Sequence, residues 1–166
     1  MTNKILVLCT FKFLCFTSSY AITADDILRE ARKHINSDKW SYASCHKLLC
    51  GKNKCNIFVD DVLSNVGAKR PKRDSFFYPA IGANEWGKSN SEYILNTGCY
   101  QHIPSFSNRQ KGDVIAFPVD AGSGHVGIVS TGSQYVSAGQ YIVEEKDIPT
   151  DRSRTIWRYR YTKTGC

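Results

Sequence analysis

The chain has 166 residues, 22 lysines and arginines against 15 aspartates and glutamates, a formal net charge of +7 and seven cysteines. That length suits one domain with a real hydrophobic core, and no Pro/Gly/Ser-rich linker or internal repeat marks a second. No stretch is uninterruptedly apolar over the roughly 20 residues a membrane span requires, so stable membrane insertion is not expected.

Residues 1–21, MTNKILVLCTFKFLCFTSSYA, carry a basic start at Lys4, an apolar run interrupted by Lys12, and small residues at Ser19 and Ala21. This pattern reads as a signal peptide, leaving residues 22–166 as one exported domain, expected to be a monomer. Its removal takes away Lys4 and Lys12 and no acid, so the formal charge falls from +7 to +5. A basic exported protein favours anionic partners such as bacterial walls and acidic glycans, and that compartment argues against nucleic acid.

Thr23 and Asp26 open a first predicted helix whose apolar stripe is Ile27, Leu28, Ala31 and Ile35. His34 belongs to this helix as a solvent-facing or helix-end residue, whereas His46 and His102 read as loop residues. From Cys55 onward, Phe58, Val59, Val62, Leu63 and Val66 recur at spacings of three and four, predicting an amphipathic helix. Asn53 stands where a cap is wanted, Gly67 stops the helix, and Asp60 and Asp61 fall on its solvent side.

Cys55 therefore opens a helix. Free backbone N–H groups and the positive end of the helix dipole there favour a thiolate and supply donors for an oxyanion. Five cysteines follow the leader, Cys45, Cys50, Cys55, Cys99 and Cys166, and an odd count in an oxidising compartment implies a free thiol or an intermolecular bridge. The cluster Lys69, Arg70, Lys72 and Arg73 reads as a solvated loop or a wall-attracting patch.

Residues 76–106 are aromatic and turn-rich, and Trp86 in them is either core or groove lining. Beyond a turn at Lys111-Gly112-Asp113, Val114 to Phe117 reads as a strand. A glycine-rich loop leads to a second strand, His125 to Thr131, that His125 begins. A histidine just past Gly122 and Gly124 can meet a facing thiol and act as general base and acid. TIWRYRY near the end reads as a strand with one packed and one basic face. The spacing C-x4-C-x4-C has no matching second ligand pair and no H-E-x-x-H occurs, so neither a metal nor any other cofactor is expected.

NKCNIFVDDVL, GDVIAFP and GHVGIVS together resemble the NlpC/CHAP-type papain-like amidases, and within them the type VI secretion amidase effectors and their domesticated versions in ticks and mites. The resemblance covers roughly residues 27–142, and its most specific part is the block around Cys55. It implies an α+β, papain-like fold with helices packed on an antiparallel sheet. It further implies a secreted amidase or endopeptidase acting on a stem-peptide or cross-link amide of bacterial peptidoglycan, with Cys55 as nucleophile and His125 as base. In that family a third polar residue on the next strand orients the base; the matching position is Ser137, with Gln140, Asp120 or a backbone carbonyl as alternatives. The family's tyrosine near the oxyanion site corresponds to Tyr42, whose other reading is a core residue beside Trp40.

With Cys55 reduced, four cysteines permit three pairings. The expected one is Cys45–Cys50, which closes a short loop before the catalytic helix, with Cys99–Cys166, which ties down the last residue. Two other classes compete with the amidase: a cysteine proteinase or acyltransferase with another substrate, and a non-catalytic cationic wall-binding protein.

Overall fold

The computed structural model describes residues 21–76 and 79–166. The expected signal peptide, Ala21 apart, lies outside the described residues.

Helix α1, Ala24–Arg32, starts as expected: Thr23 accepts from the Asp26 backbone N–H and the Asp26 carboxylate accepts from the Thr23 N–H, a reciprocal capping box. Ile27, Leu28 and Ala31 are buried and Ile35 packs against them from just past the helix end. His34 is not simply solvent-facing. It accepts an edge contact with Trp40 at 4.8 Å between ring centres and hydrogen-bonds Glu30 at 3.0 Å.

Helix α2, Cys55–Asn65, ends on Val66 and Gly67, where φ is +77° and the Ala68 N–H closes the last turn on Leu63 O. Ile57, Phe58, Val59, Val62 and Leu63 are all buried. Asp60 and Asp61 are buried too, against expectation, because cations and donors outside the helix close over them. Arg70 reaches Asp60 at 2.8 Å, while Asp61 receives Trp40 Nε1 at 2.9 Å, His46 Nε2 at 2.7 Å and the Lys47 ammonium. His46 is thereby a fixed partner of α2, in a short 3-10 turn, His46–Leu48. Arg70 drops out of the free basic cluster for the same reason. Two short helices follow, α3 (Ala83–Trp86) and α4 (Glu92–Leu95).

The strands are β1 (Tyr100–His102), β2 (Val114–Phe117), β3 (His125–Val129), β4 (Gln134–Ala138), β5 (Val143–Asp147) and β6 (Thr155–Tyr159). They form one sheet in the order β1-β6-β2-β3-β4-β5, every neighbour antiparallel. The architecture is α+β. β1 holds His102, which lies against Trp157 rather than in a loop. The last strand, β6, enters between β1 and β2, and its Arg158 makes a two-pronged contact with the fully buried Asp113 at 2.9 Å through both Nε and Nη2. The expected basic face of this strand is thus half spent on an internal ion pair.

Both sheet faces are covered. Val114, Ala116, Val126, Ile128, Val136, Ala138 and Trp157 pack with α1 and α2, while Ile115, Phe117, Val129, Tyr135 and Ile156 form a second cluster with Ile103 and Ile148. This explains why β2 reads as an unbroken apolar run. Trp86 resolves to core, its carbonyl accepting from Trp157 Nε1 at 2.9 Å.

Disulfides join Cys45 to Cys50 and Cys99 to Cys166, and Cys55 is free. The sequence separations are 5 and 67, so the chain-entropy rule assigns about 2 and about 4 kcal/mol to the two closures. Replacing both Cys99 and Cys166 by alanine should therefore lower the urea unfolding free energy by roughly 2 kcal/mol more than replacing Cys45 and Cys50. Equal losses in the two doubly substituted proteins would contradict that ordering.

Candidate active site

Cys55 stands where α2 begins because its predecessor is anchored. Lys54, not Asn53, is the residue flanking the helix, and its side chain is 1% exposed. Its ammonium folds back to donate to three carbonyls, Ser41 O at 2.8 Å, Lys52 O at 3.0 Å and Tyr42 O at 3.2 Å. Burial pushes the Lys54 pKa down, while three carbonyl dipoles give the charge the solvation it loses. The clamp fastens the 41–42 loop to the start of the helix. Asn53 instead spans to the other side, its Nδ2 donating to Ser123 Oγ at 3.4 Å.

The partner wall is the loop before β3. Asn84 of α3 accepts from the Val119 N–H at 3.1 Å and donates to Val119 O at 3.1 Å and Gly122 O at 3.0 Å, which fixes the loop's course into His125. Gly124 has φ of +60°, and a Cβ there would lie 2.3 Å from Asn84 Oδ1 and 2.9 Å from Phe117 O. Only glycine fits both the conformation and the space.

The Cys55 thiol is 4% exposed. Burial pushes its pKa up, and the backbone N–H groups of Val126, Asn56 and Cys55 itself, which favour the thiolate, do not overcome it. The expected activation by the helix start is outweighed by desolvation. His125 is shifted the opposite way, to about 4, first by burial and then by the positive charges of Lys146 and Arg152. At neutral pH both groups are uncharged.

Cys55 opens the helix that packs on β3, where the N–H of Val126, the residue after His125, favours its thiolate. The structure does not join sulfur to imidazole by a hydrogen bond. The His125 ring lies nearly parallel to Phe117 and edge-on to Tyr135, with ring centres 6.4 and 5.9 Å away, and its Nε2 is buried without a hydrogen-bond partner among the described residues. Ser137 is fully buried and donates its hydroxyl to Val126 O at 2.6 Å, so its one proton is spent and only its lone pairs are left for an imidazole N–H. Tyr42 is 47% exposed, unlike the buried Trp40, so it is not a core residue. Its N–H binds Gln140 O at 2.8 Å, which places the exposed Gln140 beside the clamped loop. Asp120 is an exposed loop residue.

A cleft of about 290 Å³ opens beside Cys55, bounded by Asn53, Arg73, Gly82, Asn84 and Ser123 among others. Sequence reasoning missed Lys54 and Asn84, and it put Arg73 in a solvated or wall-attracting cluster rather than at the cleft. Lys54 carries a signal after the fact, a lysine within a block otherwise committed to the core; Asn84 comes from a distant segment and carries none. Among the described residues no cluster of three or more His, Cys, Asp or Glu side chains is placed to hold a metal, and no helix is long and apolar enough to cross a membrane. Compared with protein-family models, curated proteins and solved structures, the chain matches none.

Two outcomes follow from this geometry. Ultraviolet titration at 240 nm should show no Cys55 thiolate at pH 7 and its appearance only above pH 9, the ordinary thiol value that burial raises here. A thiolate band at neutral pH would mean a charged Cys55–His125 pair. Lys54→Met should cost about 3 kcal/mol of stability, read by denaturant unfolding, because it strands three carbonyls that the ammonium now satisfies.

Proposed function

We propose that this chain is an exported cysteine amidase of papain-like architecture that hydrolyses a stem-peptide or cross-link amide of bacterial peptidoglycan. The observation that carries the reading is the placement of Cys55: the one cysteine outside a disulfide among the described residues opens α2 and lines a cleft. Two disulfides agree with an oxidising, extracellular setting. The exposed Lys69 and Lys72, with the net positive charge, suit an anionic wall.

In this mechanism the resting pair is neutral thiol and neutral imidazole. His125 turns from Phe117 and Tyr135 toward the sulfur, and its unpartnered Nε2 has no hydrogen bond to give up in doing so. Catalytic hydrogen bonds in free enzymes are commonly loose and tighten only with substrate bound. Sulfur attacks the amide carbonyl as its proton passes to imidazole, and backbone N–H groups at the start of α2 hold the oxyanion. The imidazolium then protonates the leaving amine, and His125 activates water to release the acyl group and regenerate the thiol. Lone pairs on Ser137 Oγ are available to orient the ring, and Tyr42, on the clamped loop, is available to the oxyanion.

Cys55→Ala and His125→Ala should each reduce muropeptide release from purified peptidoglycan by about 10³-fold or more, measured by mass spectrometry, and the double variant should lose no more than either single one. Because the imidazole must be neutral to act, kcat/KM should rise as pH climbs through about 4 and then stay level to neutrality. Undiminished muropeptide release by a folded Cys55→Ala protein would overturn Cys55 as the nucleophile, and wall binding without any release by the unsubstituted protein would replace the amidase with a non-catalytic wall-binding protein.

A further inference from the structure

We infer that Arg73 is the substrate-binding cation of the Cys55 cleft and selects peptides that carry a free carboxylate next to the scissile amide. The inference rests on the amidase reading for the identity of the ligand, and on the cleft itself for the site. Arg73 bounds the same cleft as Cys55, Asn53, Asn84 and Ser123. Its guanidinium lies across Gly82: a Cβ at that position would be 2.8 Å from Nη2, so a side chain there would displace the group from the cleft wall.

The charge balance of the cleft singles Arg73 out. Among the described residues two charged side chains bound it, Arg73 and Glu85. Glu85 is already neutralised, by an ion pair with Lys88 and by the Ser91 hydroxyl at 3.3 Å. No ion pair reaches Arg73 among the described residues, whereas Arg70 of the same basic cluster is consumed by Asp60. The amides nearby are committed to the protein: Asn84 to the loop before β3, and Asn56 through Nδ2 to Ile81 O at 3.0 Å. The cleft therefore offers one uncompensated, fork-shaped donor beside a nucleophile, which matches a carboxylate in charge and geometry.

Peptidoglycan stem peptides supply that group at either candidate bond. A glutamyl residue linked through its γ-carbonyl keeps its α-carboxylate, and a diamino-dicarboxylic acid acylated on its side-chain amine keeps a carboxylate beside it. Amidation of that carboxylate removes the charge and leaves the scissile amide unchanged, which makes the free and amidated peptides a clean pair of probes.

The test uses Cys55→Ala protein, which binds without turnover, titrated calorimetrically with a stem peptide bearing the free carboxylate and with its carboxamide counterpart. The free acid should bind about 10- to 100-fold more tightly, the range of a charge-assisted pair. Arg73→Gln should erase that preference while leaving carboxamide binding within about twofold, and Arg73→Lys should restore part of it. Equal binding of the two peptides, or an equal loss for both on Arg73→Gln, overturns the inference. Wild-type protein that cleaves neither peptide, while the Arg73-dependent preference persists in binding, overturns the amidase reading and leaves Arg73 as a carboxylate site.

Discussion

Everything proposed for this molecule depends on the seating of α2 against β3 and β4. Phe58, Val59, Val62 and Leu63 are all fully buried in the cluster that also contains Val126, Ile128 and Val136. At roughly 1.5–3 kcal/mol for each such side chain, their transfer from water sums to about 8 kcal/mol, an upper estimate since the unfolded chain already hides some of this surface. The seating fixes the height of Cys55 along β3, where the Val126 N–H favours its thiolate. Gly127 makes the adjoining strand approach possible. A Cβ there would lie 2.5 Å from Val136 O and 2.6 Å from a Tyr135 ring carbon, so β3 and β4 could not close with a larger residue.

Around that apolar contact, charges are buried only where partners enclose them. Burial alone would raise the Asp61 pKa, but hydrogen bonds from Lys47, His46 and Trp40 outweigh it and lower it overall. A carboxylate with a lowered folded-state pKa contributes stability that is complete above its unfolded value, near 4, and is lost as pH falls through the folded value. Asp61 thus ties the 46–48 turn and Trp40 to the middle of α2 while Lys54 ties the 41–42 loop to its start. The two contacts hold one segment at two points, and the Cys45–Cys50 bridge encloses the 46–48 turn in sequence. The segment has little regular structure of its own, so these polar contacts stand in for a sheet or helix ladder.

Periodicity made the elements readable and left the partners unreadable. The spacing from Cys55 to Val66 located α2 to its first residue, and Thr23 with Asp26 located α1, because capping and helical repeats are local properties. β2 and the start of β3 followed from turn chemistry around Gly112 and Gly124. The disulfide partners also agree with expectation. What failed was inference about exposure: Asp60 and Asp61 sit at polar positions of a helical wheel, yet Arg70, His46 and Lys47 arrive from either side in sequence to bury them. Lys54 was passed over because an uncapped lysine before a helix normally points to water. Which strand face His125 uses is a matter of register, and register places it with Phe117 and Tyr135 rather than against the helix.

Burial that keeps the Cys55 thiol and the His125 imidazole neutral also limits disulfide exchange. Thiolate, not thiol, attacks disulfides, and two of them share the chain with Cys55. A permanent Cys55–His125 ion pair would keep a strong nucleophile available for exchange in an oxidising compartment. Desolvation instead holds the proton on sulfur; in the proposed amidase the developing negative charge would pass, once substrate fills the cleft, to a carbonyl oxygen facing the α2 backbone donors. The raised Cys55 pKa and the depressed His125 pKa thus act in the same direction, restricting nucleophilicity to the occupied site. In the proposed amidase the low exposure of Cys55 also preserves, as a thiol, the group on which the reaction would depend.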